Sequence, residues 1–75
     1  MTNVKFSKVD EIDSNKYIFI SNANNEYILF SDERGLSVKG LTPDFWDKFY
    51  FCESIKIESK RGEDSNIISR IISYK

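Results

Sequence analysis

The residues of this sequence that could do chemistry are its carboxylates and one thiol. The chain contains twelve Asp and Glu residues, a single cysteine at position 52 and no histidine. Histidine is the commonest acid or base catalyst near neutral pH, and it is the usual group that activates a serine or cysteine nucleophile. Without it Cys52 lacks an activating partner, and we expect Cys52 to be a small, buried apolar residue.

Three of the carboxylates, Asp10, Glu11 and Asp13, stand close together. Such a group can act as acid and base when an enclosed cleft shifts one pKa away from the others. This segment is polar, and so small a domain has little room for a cleft, so we expect solvated surface here. One cysteine and no histidine also exclude an intrachain disulfide and a Cys/His metal site. The sequence therefore predicts a protein that is not an enzyme and uses no metal ion or cofactor.

The length and the aromatic content instead favour a binding protein. The chain has 75 residues, eleven of them aromatic, and residues 1–75 should form one domain. A single core in a chain below roughly 70–80 residues seldom supplies more than about 3–5 kcal/mol, so disulfides, metals or partners commonly add stability. Each ring can bury about 150–250 Å². We expect some rings to stay exposed, as at the centres of protein interfaces.

The elements that would position these rings are short strands and one helix. Two runs of β-branched and aromatic residues flank an Asn-rich turn, which predicts a hairpin of residues 16–21 and 26–31. Both runs are apolar on both faces, which is typical of strands covered on two sides or docked on a partner. Further strands are expected over 5–9, 36–38, 54–60 and 66–74. Residues 66–74 also fit a helical stripe, but their β-branching favours a strand.

The helix is predicted from its first residues. Thr42 is a good N-cap, Pro43 suits the first helical position, and Asp44 complements the positive end of the helix dipole. The helix should run from Pro43 to about Phe51. The predicted fold class is thus α+β, with an antiparallel sheet of four or five strands packed on one short aromatic-rich helix.

The rings of this helix cover a wide arc. At about 100° per residue, Phe45 and Phe49 form one edge of a stripe, Trp46 and Tyr50 widen it to about 140°, and Phe51 projects from the far side. Two interpretations stay open: all five rings are core, or Trp46 and Tyr50, or Phe51, line an exposed site for a protein partner. The predicted partner-binding residues are Phe45, Trp46, Phe49, Tyr50, Phe51, Glu53 and Ser54.

The charge balance bears on nucleic acids and membranes. Twelve acidic and eleven basic side chains give a net charge of −1, which provides no field to attract phosphate backbones or anionic lipids. Lys60, Arg61 and Arg70 could contact phosphate, so a small nucleic-acid-binding β-barrel is an alternative, although interleaved aromatic residues are missing. A structural subunit of a homo-oligomer is a third possibility. The polar N-terminus and the lack of a long apolar run predict a cytoplasmic protein.

A partial resemblance suggests a more specific role. Residues 40–50 read Gly-Leu-Thr-Pro-Asp-Phe-Trp-Asp-Lys-Phe-Tyr, and residues 53–58 read Glu-Ser-Ile-Lys-Ile-Glu. This stretch resembles the small dimeric uracil-DNA glycosylase inhibitors of Bacillus phages, in which an aromatic-bearing helix lies between strands. The resemblance implies that Phe45 and Tyr50 help form a pocket for a protruding enzyme side chain, while Glu53 imitates a DNA phosphate. Residues 53–55 are also similar to the Glu-Ser-Ile strand of a second, unrelated phage inhibitor of the same enzyme.

This chain is longer at its C-terminus than that family and lacks the strongly acidic balance of a DNA mimic. Its richness in Asn, Ser, Ile and Lys is typical of AT-rich genomes, as in many low-GC bacteria and their phages. We therefore expect a small phage-type protein that inhibits a host enzyme or a defence complex by stoichiometric binding. Either a monomer or a homodimer could act in this way.

Overall fold

The computed structural model describes residues 2–31 and 38–75. It contains six strands and one helix, which follow one another as β1 (Thr2–Val4), β2 (Phe6–Asp13), β3 (Lys16–Ser21), β4 (Glu26–Phe30), α1 (Phe45–Phe51), β5 (Ile55–Arg61) and β6 (Asn66–Tyr74). The strands form one sheet in the order β1-β5-β6-β4-β3-β2. The predicted α+β class with one short helix is confirmed.

The predicted sheet of four or five antiparallel strands is wrong in two respects. The sheet has six strands, because Thr2–Val4 also pairs with β5, and so short a segment shows no periodicity in the sequence. One pairing, β4 with β6, is parallel. A parallel pair needs a long connection, and here α1 and β5 lie between the two strands in the chain.

The hairpin of β3 and β4 forms where the sequence predicted it. Its register runs from Lys16 opposite Phe30 to Ile20 opposite Glu26. Within the turn, Asn24 has a φ of 62°, a left-handed conformation that asparagine tolerates better than most residues. The predicted strand over residues 66–74 is confirmed as β6, and the strand predicted over 54–60 is β5.

The first predicted strand was too short. It was predicted over residues 5–9, but β2 continues through Asp13 and pairs with β3 along the way. Because β2 is an edge strand of the sheet, its carboxylates can reach water while its backbone pairs. The chain reverses only afterwards, where the Asn15 N–H donates to the Asp13 carboxylate over 2.7 Å.

The predicted helix start was also wrong. The helix begins at Phe45 with Asp44 as its N-cap residue, two residues later than predicted, and the cap has no side-chain hydrogen bond. The Thr42 hydroxyl instead donates to the Asp44 carboxylate, and the Thr42 carbonyl accepts the Phe45 N–H over 3.0 Å. Residues 42–45 therefore form a turn that precedes the helix. The predicted turn at 32–35 and most of the predicted strand at 36–38 lie outside the described residues.

Gly40 fixes the approach of the chain to α1. Its φ is 84°, and a Cβ atom there would collide with the carbonyl oxygen of Ile71. Gly40 comes this close to Ile71 because the preceding residue, Lys39, forms a parallel bridge with Arg70. In this bridge the Ile71 N–H donates to the Lys39 carbonyl over 2.7 Å. Only glycine meets both demands without strain.

The sheet curls until its two ends meet. β1 and β2 stand at opposite ends of the strand order, yet only Lys5 separates them in the chain. The strand directions also make β1 and β2 run the same way, so together they act as one bent strand. The buried apolar side chains form a single cluster: Val4, Phe19, Tyr27, Leu29, Val38, Phe45, Ile55, Ile57, Ile68 and Ile71.

The other face of the sheet carries a row of isoleucines. Ile18 lies opposite Ile28, and Ile28 lies opposite Ile67 on the parallel neighbour β6. All three side chains are half-buried. This row is the structural counterpart of the two-faced apolar pattern that the sequence showed in β3 and β4.

Candidate functional site

The first part of α1 is core. Phe45 is only 2% exposed, and Phe49 and Trp46 are partly buried against the same cluster. All three rings contact Phe19 of β3, with centroid distances of 6.4, 5.2 and 5.9 Å for Phe45, Phe49 and Trp46. Phe49 also contacts Phe6 at 6.1 Å. The structure therefore packs three of the predicted partner-binding rings against the core, with Phe45 buried and Trp46 and Phe49 partly buried.

The last turn of α1 behaves differently. Tyr50 is 72% exposed and Phe51 is 91% exposed. The helix ends directly afterwards, since Cys52 has extended backbone angles and its N–H still donates to the Lys48 carbonyl over 3.1 Å. Two neighbouring aromatic side chains thus stand on the surface at the end of the helix.

A groove runs beside Tyr50. It has a volume of about 510 Å³ and is lined on one side by residues 4–9 and on the other by residues 49, 50 and 52–55. We call it the seam groove, because it lies where β2 diverges from the chain that leads into β5. Its walls carry charges of both signs, with Lys5 and Lys8 on the strand side and Glu53 on the helix side.

Glu53 and Ser54 are held in place by the end of the chain. The N–H of Glu53 donates to the Lys75 carbonyl over 2.7 Å, and the N–H of Lys75 donates to the Ser54 carbonyl over 2.9 Å. The Glu53 side chain is exposed beside the groove, whereas Ser54 is half-buried. Tyr50, Glu53 and Ser54, three of the predicted residues, therefore share one groove.

A second, smaller hollow lies on the other side of Tyr50. It measures about 220 Å³ and is lined by Val9, Glu11, Tyr17, Trp46 and Tyr50. We call it the aromatic slot. The rings of Tyr17 and Trp46 have centroids 4.8 Å apart, and those of Trp46 and Tyr50 are 6.1 Å apart.

A carboxylate borders the aromatic slot. Glu11 lies opposite Tyr17 in the β2–β3 register, and the Tyr17 hydroxyl donates to Glu11 Oε1 over 3.5 Å. Burial raises the pKa of Tyr17, and the negative charges of Glu11 and Asp13 raise it further. Neither Glu11 nor Tyr17 was predicted from the sequence to belong to a binding surface. A prediction of a β2–β3 hairpin turning at residues 14–15 would have brought them together.

Cys52 lies next to the exposed rings but faces inward. It is half-buried, and its thiol donates to the Phe49 carbonyl over 3.2 Å. Burial raises the pKa of the Cys52 thiol, which disfavours the reactive thiolate at neutral pH. Within residues 2–31 and 38–75, no group of three or more acidic or cysteine side chains is arranged to hold a metal ion.

The basic residues of the alternative prediction lie on β5 and β6. Lys60, Arg61 and Arg70 are all exposed. Lys60 lies opposite Ile67, and Arg70 lies opposite Glu58, so a carboxylate stands beside one of the three cations. An acid directly across the strand lowers the positive potential that a phosphate would meet.

None of the described helical residues forms a helix long and apolar enough to cross a membrane. No family model matches the chain, and neither a curated protein nor a solved structure matches it significantly.

Proposed function

We propose that this protein binds another protein through the end of α1 and thereby inhibits it. The observation that carries the proposal is the exposure of two adjacent rings, Tyr50 at 72% and Phe51 at 91%, in a helix whose other rings pack against the core. Exposed aromatic side chains beside a groove are typical of the centre of a protein interface. Burying one exposed phenylalanine stabilises a complex by roughly 1.5–3 kcal/mol.

The proposed inhibition is stoichiometric and directed at a host enzyme or a defence complex. Steric blocking needs a shaped surface with an apolar contact and no titrating catalytic group. The exposed rings of Tyr50 and Phe51 supply the apolar contact, and the seam groove beside Tyr50 supplies the shape. The resemblance of residues 40–58 to phage inhibitors makes uracil-DNA glycosylase the first target to test. In that role Tyr50 and the groove would receive an enzyme side chain, and Glu53 would face the DNA-binding surface.

The test measures uracil release from uracil-containing DNA by a purified bacterial uracil-DNA glycosylase titrated with this protein. Inhibition should be complete near one equivalent. Phe51→Asp should weaken it at least about tenfold, because a charge replaces an apolar contact worth more than about 1.4 kcal/mol. Ile12→Asp is the matched control, since Ile12 is another exposed apolar residue, lies on β2 and lines neither the seam groove nor the aromatic slot.

Two outcomes would contradict different parts of the proposal. Undiminished glycosylase activity at tenfold excess of the protein would remove this target. The surface proposal is tested separately, by capture of bacterial proteins with wild type, Phe51→Asp and Ile12→Asp. Identical captured proteins and yields for wild type and Phe51→Asp would show that the helix end is not the binding surface.

A second candidate function has one observation in its favour. The sheet curls until its ends meet at Lys5, and partly open barrels such as the OB-folds include binders of oligonucleotides. Architecture alone does not determine function, and the net charge of −1 offers little attraction to phosphate. Binding of single-stranded DNA that weakens steeply with added salt, and is lost in Lys60→Glu with Arg70→Glu, would favour this function.

A further inference from the structure

The aromatic slot presents ring faces and edges around a small open space. Three of its five lining residues, Tyr17, Trp46 and Tyr50, are aromatic, and the planes of neighbouring rings are inclined by 59° and 33°. Trp46 and Tyr17 are half-buried and held against the core, so two of the three rings are fixed in position. A preorganised set of rings loses little entropy when a ligand binds.

The electrostatic surroundings of the slot are negative. The Glu11 carboxylate borders it, and Asp13 is close enough to act on the Tyr17 hydroxyl. Three lysines contact other groups: Lys16 stands over the Phe30 ring, Lys48 stands over the Tyr74 ring, and Lys8 pairs with Asp10. The lining of the slot itself includes one acidic side chain and no basic one.

We propose that the aromatic slot binds a basic side chain, a lysine ammonium or an arginine guanidinium, of the partner protein. Aromatic faces attract cations through the ring quadrupole, most strongly for tryptophan, and a nearby carboxylate adds direct attraction. A volume of about 220 Å³ accommodates one such head group with part of its aliphatic stem. The inference rests on the proposed function, because it requires a partner docked at the end of α1, where Tyr50 forms both a wall of the slot and a side of the seam groove.

The slot can be tested on the isolated protein, because Trp46 is its only tryptophan. The probes are choline and 3,3-dimethyl-1-butanol, which have nearly the same shape but differ in charge. Choline should change the emission of Trp46 with a dissociation constant on the order of 1–10 mM, as expected for one shallow cation site. The neutral alcohol should bind at least about fivefold more weakly.

Two variants locate the site. Glu11→Gln removes the charge while keeping an acceptor for the Tyr17 hydroxyl, and it should weaken choline binding about fivefold. Tyr50→Leu removes one ring at a largely exposed position and should weaken it by a similar factor. The matched control is Glu63→Gln, the same charge change in the exposed turn between β5 and β6, which should leave choline binding within about twofold.

Equal affinity for choline and the alcohol would overturn the proposal, because the slot would then be merely apolar. Unchanged Trp46 emission up to about 50 mM choline would overturn it as well. The result is separable from the proposed function, since Phe51 does not line the slot. Phe51→Asp should therefore keep choline binding while losing partner capture, whereas Glu11→Gln should weaken both. Partner capture that Glu11→Gln leaves unchanged would show that the slot does not contribute to the interface.

Discussion

The first and last residues of α1 are both phenylalanine, yet their environments are opposite. Phe45 is 2% exposed and contacts the rings of Phe19, Phe49 and Tyr74, whereas Phe51 is 91% exposed. At about 100° per residue, Phe49 lies about 40° from Phe45 around the helix axis, whereas Phe51 lies about 120° away on the other side. Burial in this helix is therefore decided by direction around the axis, and residue type alone does not reveal it.

The largest expected difference between these two residues is in stability. Phe45→Ala should lower the free energy of unfolding by about 3–5 kcal/mol, because it leaves a cavity in the aromatic cluster. Phe51→Ala should change it by less than about 0.5 kcal/mol, since little of that ring is removed from water by folding. Urea unfolding followed by the emission of Trp46 measures the losses, and a Phe45→Ala protein that is already unfolded without urea would have lost the whole stability of the wild type.

The comparison would fail if the two variants were destabilised equally. A large loss in Phe51→Ala would mean that its ring is covered in solution, for example by a second copy of the chain. In that case the loss should depend on protein concentration, because unfolding would be coupled to dissociation. A loss that is the same at all concentrations would place Phe51 in the core of the monomer and remove the basis of the proposed binding surface.

The sequence predicted the elements with strong local signals better than it predicted the ends of those elements. β3 was correct because β-branched and aromatic residues and an Asn-rich turn agree locally. The helix start was wrong because Thr42 and Pro43 fit a cap equally well in a turn, and only tertiary contact decides between the two. The parallel pairing of β4 with β6 depends on residues about 40 positions apart, which periodicity does not detect.

The site was only partly predictable for a related reason. The aromatic excess correctly implied that some rings are exposed, and Tyr50 and Phe51 are. Periodicity could not say that Phe45 faces inward, since that depends on which side of α1 meets Phe19. The aromatic slot joins residues from β2, β3 and α1, so it becomes visible only when the register of the strands is known.

A smaller effect is expected at Tyr74, on the buried side of α1. Its ring contacts Phe45 at 6.3 Å, but its buried hydroxyl has no hydrogen-bond partner among the described residues. Tyr74→Phe removes this unpaired group and should raise the free energy of unfolding by about 1 kcal/mol. Tyr50→Phe is the matched control at an exposed position and should change it by less than about 0.5 kcal/mol. A loss of stability in Tyr74→Phe would show that the hydroxyl has a partner.

The same residue should make stability depend on pH. Burial, and then the charges of Asp44 and Cys52, raise the pKa of Tyr74 above its usual value. The folded state therefore holds this proton more tightly than the unfolded state. The contribution of the protonated Tyr74 hydroxyl to the free energy of unfolding is constant below the unfolded pKa of about 10. It is lost as the pH rises from there through the folded pKa. Between pH 9 and about 11, the free energy of unfolding should decline less steeply with pH in Tyr74→Phe than in the wild type.

The smallest expected effect is on the rate of thiol modification. It compares positions 51 and 52 directly when the thiol is moved from one to the other. Cys52 is half-buried, its thiol donates to the Phe49 carbonyl, and burial raises its pKa. Because the thiolate is the reactive form, iodoacetamide should modify Cys52 at pH 8 several-fold more slowly in the folded protein than in urea. A thiol moved to the exposed position by Phe51→Cys with Cys52→Ala should react at similar rates in both conditions. Equal protection at the two positions would mean that the end of α1 is covered, which contradicts the exposure on which the proposed interface depends.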